Sequence, residues 1–252
     1  GAKPLAVFCA PQADASLALM AEAGIASFRT PEACADAIRA WRDWRAPLAA
    51  PAPDAAKGAS ASKLIGGKQR LNEQEACRVF DALGVPSARS AVITSPEQAV
   101  KLDFPVVAKI LSADIAHKTD AGGVAIGIAT PEELQRAAAA ILQRVRAGHP
   151  QARINGILVQ RMEKGLAEVI LGYRRDPQVG PVVVLGVGGV LAEIYRDIAV
   201  RLAPVTAEEA SRMIEQVKGL AVIRGYRGMP RGDTAALARA VAVFSQLAHL
   251  EP

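Results

Sequence analysis

The stretch KILSADIAHKTDAGGVAIGI, residues 109–128, governs the reading of this chain. Lys109 stands inside the apolar run VVAKIL, a His117-Lys118 pair follows, and Gly122-Gly123 open a second apolar run. Two apolar runs joined by a polar, glycine-bearing segment predict two strands and a connecting loop. A lysine inside a buried-strand pattern is costly unless it is paired or reaches water. It is either a strand-edge lysine that snorkels or a lysine held at a cleft wall to bind an anion. Paired glycines let backbone N–H groups approach an anion closely, and Lys118 adds a second positive charge. A plain surface turn is the alternative. His117 is one of three histidines; His149 precedes a proline in a loop and His249 lies near the end of the sequence. Imidazole beside a bound triphosphate is a nucleophile and a fair leaving group near neutral pH. The plainer role is a surface hydrogen-bonding histidine.

Working outward, Asn72 is placed to cap a helix with inner face Ala76, Val79, Phe80 and Leu83, ended by Gly84 and Pro86. Ala91 to Ile93 reads as a strand, and Ser95-Pro96 as another helix start. Thr130-Pro131-Glu132-Glu133 opens a helix lined by Leu134, Ala138, Ile141, Leu142 and Val145. Ile154 to Gln160, Glu168 to Tyr173 and Pro181 to Val187 read as strands, with 190–204 strand-like and helices over 207–218 and 233–250. The order mixes α and β without strict alternation, which favours α+β here over a doubly wound sheet.

Two further features carry chemistry. In GVGGVLAEIYRDIAVRLAP, residues 186–204, the glycines do not fit GxGxxG. Ile198, Val200 and Leu202 alternate with Asp197, Ala199 and Arg201, so strand geometry predicts one apolar face and one face holding Glu193, Asp197 and Arg201. Carboxylates and an arginine on one face suit a magnesium–polyphosphate ligand; a solvated face with ion pairs is the alternative. The polar break Gln160-Arg161-Met162, with Glu168 beyond it, is a hinge able to receive an adenine through backbone groups.

Residues 3–45 read as β-α-β-α. Thr30-Pro31 starts the second helix, whose apolar face is Cys34, Ala37, Ile38, Trp41 and Trp44. Residues 46–68 are Ala, Pro, Gly and Ser with almost no periodicity and read as a linker. The 252 residues, 51% apolar, are enough for one large domain or two small ones. No apolar run reaches the roughly 20 residues of a membrane span, and the start shows no signal-peptide pattern. Cys9, Cys34 and Cys77 lie far apart and form no CxxC, which fits buried thiols in a reducing, cytoplasmic setting. The net charge of +5 is spread along the chain and aromatic residues are few, which argues against nucleic-acid binding.

These pieces occur together in one family. Residues 70–250 resemble the ATP-grasp domain of the NDP-forming acyl-CoA synthetases, relatives of the succinyl-CoA synthetase β subunit. The matching text is LNEQEACRVFDALGVPSA, FPVVAKILSADIAHKTDAGGVAIGI and GILVQRMEKGLAEVILGYRRDPQVGPVVVLGVGGVLAEIYRDIAVRLAP. Residues 3–45 resemble the end of the flavodoxin-like CoA-ligase domain that precedes it in fused members. The resemblance implies residues 1–47 as the tail of that domain, 48–68 as linker and 69–252 as an ATP-grasp fold of two α+β lobes. The family continues into a segment like E-[IL]-N-P-L and a further strand, beyond this sequence.

The reaction so implied converts a carboxylic acid, CoA and ATP or GTP into acyl-CoA, the nucleoside diphosphate and phosphate, through phosphohistidine. His117 matches the carrier position of the ATP-grasp domain. Lys109 and Lys118 are implied at the nucleotide phosphates, Gly122-Gly123 as the loop over them, Gln160 to Met162 as the adenine hinge and Glu168 near the nucleoside. Glu193 and Asp197 match acidic positions of the magnesium side. The implied partners are the remaining CoA-binding and CoA-ligase domains, with no nucleic acid and no membrane. Two other readings are a regulatory nucleotide- or acyl-CoA-sensing module of a protein acetyltransferase fusion, and a carboxylate–amine ligase in which His117 is incidental.

Overall fold

The computed structural model describes residues 4–11, 13–44, 49–189 and 197–250. The chain divides into two compact units, Gly1–Ala49 and Ala50–Pro252.

The first unit holds β1 (Ala6–Phe8), α1 (Asp14–Glu22), β2 (Ala26–Phe28) and α2 (Pro31–Asp43). The two strands pair in parallel, Ala6 opposite Ala26. The Thr30 side chain accepts the Ala33 N–H and Pro31 takes the first helical position, as the sequence predicts. The expected apolar face of α2 is divided. Cys34 is buried, whereas Ile38, Trp41 and Trp44 are exposed. A two-stranded sheet is too narrow to cover the whole stripe.

The second unit begins with a helix where a linker is expected. α3 (Ala55–Ile65) is capped by the Asp54 carboxylate, which accepts the Lys57 N–H, and ends on left-handed Gly66. Its small residues hide the helical period. Their smallness is also what packs them, because Ala61 is fully buried against Val79 and Leu83 of α4 (Glu73–Leu83). α4 has a complete capping box. Asn72 accepts the Glu75 N–H at 3.0 Å, and the Glu75 carboxylate accepts the Asn72 N–H at 2.9 Å. Asn72→Ala is expected to cost about 1 kcal/mol in a urea titration, with most of it recovered by Asn72→Asp.

Four antiparallel strands follow in the order β3–β6–β4–β5: β3 (Ser90–Ile93), β4 (Val106–Leu111), β5 (Val124–Ile128) and β6 (Gly156–Arg161). No helix starts at Ser95. The Gln98 side chain instead accepts the Thr94 N–H at 2.9 Å and closes a turn. Between β5 and β6 runs α5 (Pro131–Gly148), capped by Thr130, with Leu134, Ala138, Ile141 and Val145 buried. These pack on Val106, Ala108 and Ile110 of β4 and Ile157 and Val159 of β6 to form the first core. Alternation then sends Val107 and Lys109 of β4, and Leu158 and Gln160 of β6, to the opposite face of the sheet.

A three-stranded antiparallel sheet completes the unit, with β8 central: β7 (Val169–Asp176), β8 (Gly180–Val187) and β9 (Ile198–Leu202). α6 (Ala207–Gln216) and α7 (Thr234–Ser245) cover one side, and the last expected helix ends in a 3-10 turn, Gln246–His249. The faces of β9 are the reverse of those expected. Ala199 is fully buried, while Ile198, Val200 and Leu202 are exposed. Ala199 packs in the second core beneath the helices. Arg201 shares that helix-covered face by reaching out to Glu209 and Gln216. Glu193 and the rest of 190–196 lie outside the described residues.

Candidate functional site

On the face of the four-stranded sheet away from α5, Lys109 points from β4 toward the start of α4. Its Nζ donates to Glu73 Oε1 at 2.7 Å and to Gln160 Oε1 at 2.7 Å. Glu73 is the first residue of α4, fixed there by the capping box. Its other oxygen, Oε2, accepts from Lys118 Nζ at 2.6 Å. One carboxylate thus joins a lysine of the sheet to a lysine of the loop that carries His117. The three side chains are 26%, 19% and 24% exposed for Lys109, Lys118 and Glu73. Burial pushes the Glu73 carboxyl up, but the hydrogen bonds and charges of Lys109 and Lys118 outweigh it and hold it below its ordinary value. The pair of lysines therefore keeps one net positive charge after Glu73 is counted, in a partly desolvated setting where an anion is favoured.

The loop between β4 and β5 is built to present His117. Ser112 is buried and its hydroxyl accepts the Asp114 N–H at 3.1 Å. The Asp114 carboxylate accepts the Arg153 N–H at 2.8 Å. Ile115 drops into the first core. His117 is exposed, and no hydrogen bond or ion pair of its imidazole with the described residues is present. A turn follows: the Ala121 N–H donates to the His117 carbonyl, Gly122 to Thr119 and Gly123 to Lys118, at 3.2, 2.9 and 2.7 Å.

In this turn the N–H groups of both glycines are taken up inside the loop, Gly122 by the Thr119 carbonyl and Gly123 by the Lys118 carbonyl. Gly122 supplies a left-handed turn at φ 64°. Gly123 supplies close approach, since a Cβ there would lie 2.6 Å from Ile110 Cγ2 and 3.0 Å from the Lys118 carbonyl. The glycines fix where Lys118 stands.

The remaining candidates are dispersed. Gln160 is buried on Lys109. The hinge N–H groups are committed, Arg161 to the Arg89 carbonyl at 3.0 Å and Met162 to Pro105 at 3.1 Å. The Arg161 side chain faces Asp103 and Glu163 at 3.8 and 3.7 Å in exposed ion pairs. The Glu168 carbonyl accepts the Gly188 N–H at 2.8 Å. Asp197 turns to the same side as Arg201, which is covered by helical segments and is not an open polar face. Its Oδ1 accepts the Lys218 N–H at 3.1 Å and its Oδ2 the Gly219 N–H at 2.6 Å, at the start of the 3-10 helix Lys218–Ile223. Among the described residues no group of three or more His, Cys, Asp or Glu is placed to hold a metal ion. Each Asp197 oxygen accepts one backbone N–H, and Glu193, the other expected acidic residue, lies outside the described residues. Among them, too, no helix is long and apolar enough to cross a membrane.

Glu73 is the residue that sequence reasoning missed. It lies 36 residues from Lys109 and 45 from Lys118. Its one local signal is an acidic residue in the first turn of a strongly capped helix, where it reads as a dipole partner.

Two lysines sharing one carboxylate, beside a loop-borne histidine, form a partly buried cationic group of the kind that suits phosphate oxygens. The family model described as an ATP-grasp domain matches residues 63–252, and the chain belongs to that family. Within it, the chain is similar to the beta subunit of ADP-forming acetate–CoA ligase I of Pyrococcus furiosus, 40% identical over 182 residues, covering 71% of this chain and 78% of that subunit. It is 36% identical over 189 residues to ADP-forming acetate–CoA ligase I of Archaeoglobus fulgidus, covering 73% of this chain and 27% of that protein. The chain therefore spans about a quarter of that relative's length. A solved structure with TM-score 0.63 and 31% identity covers 76% of this chain and 87% of its own. It is the dinucleotide-forming acetyl-coenzyme A synthetase 1 of Ca. Korarchaeum cryptofilum in complex with coenzyme A and Mg-AMPPCP, its phosphohistidine segment pointing towards the nucleotide binding site.

Proposed function

We propose that residues 50–252 are the nucleotide-binding ATP-grasp part of an NDP-forming acyl-CoA synthetase, an acid–thiol ligase in which His117 carries the phosphoryl group. The observation that carries this reading is the meeting of Lys109 and Lys118 on one carboxylate beside an exposed His117. Two ammonium groups converging on carboxylate oxygens present the geometry that phosphate oxygens also take. Lys109, fixed on the central part of a sheet and steadied by Gln160, is the anchor. Lys118 follows the loop.

In the step assigned to this chain, an unprotonated ring nitrogen of His117 attacks the γ-phosphorus of ATP. The bond from that phosphorus to the β,γ-bridging oxygen breaks, ADP leaves, and the other ring nitrogen keeps its proton. The lysines balance the charge that builds on the transferred and leaving oxygens. The phosphoryl group then serves acyl-CoA formation in the CoA-binding and ligase domains of the parent protein, with a carboxylic acid and CoA as the other substrates. Magnesium enters this reading through the relatives. It would neutralise phosphate oxygens, and the described residues assign it no ligands.

The test is nucleotide binding by calorimetry with ATP or a non-hydrolysable analogue. Lys109→Ala is expected to weaken binding about 30-fold or more, the loss of a charge-assisted contact of about 2 kcal/mol. Unchanged affinity in Lys109→Ala would place the phosphates elsewhere.

A further inference from the structure

Glu73 takes no part in the step just described, yet it holds both lysines that the step needs. Its two oxygens are divided between them, Oε1 to Lys109 and Oε2 to Lys118. The two lysines rest on different supports. Lys109 belongs to a paired strand, with Leu158 as its partner across from β4. Lys118 belongs to the loop between β4 and β5 and follows His117 directly. Glu73 itself cannot follow the loop, because the capping box seats it at the first position of α4. The Glu73–Lys118 pair is therefore a tether between a fixed helix start and the histidine-bearing segment.

Resting on the nucleotide reading above, we infer that Glu73 is a positioning residue. It occupies the place of phosphate oxygens between Lys109 and Lys118, and it holds the His117 segment at the cleft until a nucleoside triphosphate displaces it. A polyphosphate carries several negative charges against one for the carboxylate, so it outcompetes Glu73 for the lysines. Displacement moves the hold on Lys118 from the protein to the substrate. Once His117 carries the phosphoryl group and the diphosphate has gone, the Glu73 carboxylate faces a dianionic neighbour and repels it. Glu73 thus favours the segment at the cleft before transfer and disfavours it afterwards.

The test uses the full chain, Mg-AMPPCP as the probe, calorimetry for affinity and amide hydrogen exchange for residues 112–123. Glu73→Gln keeps the size of the side chain and removes its charge. It is expected to bind the analogue about fivefold tighter and, without nucleotide, to exchange about tenfold faster within 112–123 only. The exchange difference closes when the analogue is bound. Lys118→Gln is expected to speed exchange in the same segment while weakening binding. A structural strut would move affinity the other way, so weaker binding in Glu73→Gln with faster exchange throughout the unit overturns the proposal. So does unchanged exchange in Lys118→Gln. If the wild-type chain binds no Mg-AMPPCP, the nucleotide reading fails and takes displacement with it. The exchange of the nucleotide-free variants then still decides the tether.

Discussion

Replacing His117 with alanine is expected to remove acid-labile labelling of the protein by γ-phosphate-labelled ATP, a loss greater than roughly 10³-fold, and to leave nucleotide affinity within about twofold. The size follows from chemistry. No other side chain of the loop replaces an imidazole as a neutral phosphoryl acceptor, and a removed nucleophile is not compensated by its neighbours. The selectivity follows from geometry. The imidazole is exposed, whereas the contacts that place Lys109 and Lys118 run through Glu73 and Gln160. Taking away the ring therefore leaves the anion site standing. Acid-labile label that persists in His117→Ala would move the carrier to another residue and leave the lysines as a binding site only.

Gly123→Ala is expected to cost about 2–3 kcal/mol in a urea titration and to carry nucleotide binding down with it. The added methyl has nowhere to go. It meets Ile110 Cγ2 at 2.6 Å, and Ile110 is fully buried in the first core. On its other side it meets the Lys118 carbonyl at 3.0 Å, the acceptor of Gly123's own N–H. Relief requires β4 and the turn to separate, which pulls Lys118 from its place. Gly122→Ala is the control. There the cost is the left-handed backbone, about 1 kcal/mol, since a Cβ would meet only the Arg144 side chain, at 3.4 Å. Equal stability of the two variants would mean that close approach does not shape this turn.

What could be read from the sequence were the features written locally. The caps at Thr30, Asn72 and Thr130 each lie three residues from the N–H they accept, and all three form. The strands on either side of the glycine turn were legible for the same reason. α3 was not, because an Ala-Gly-Ser helix has no hydrophobic period and gains its place only from a neighbour it packs against, α4. The phase of β9 was not legible either. Both of its faces carry apolar residues, and the choice between them is made by helices later in the chain that cover Ala199. At the site, Lys109, His117 and Lys118 were marked by their oddity within or beside an apolar run. Glu73 looked ordinary at the start of an amphipathic helix. Its importance exists only across the fold, where one carboxylate closes the distance between two lysines.

The burial of Ile115 has a consequence for tempo. This side chain is 6% exposed and sits two residues before His117. An excursion of the histidine that carries residue 115 with it lifts this side chain out of the core. Re-exposing an isoleucine costs about 2 kcal/mol, which by itself holds such a detached state to no more than roughly a few per cent of molecules. A buried apolar side chain thus adds to the hold that the Glu73–Lys118 pair has on the segment. Trimming it to valine or alanine would raise the frequency of departures without altering a single group in the cleft.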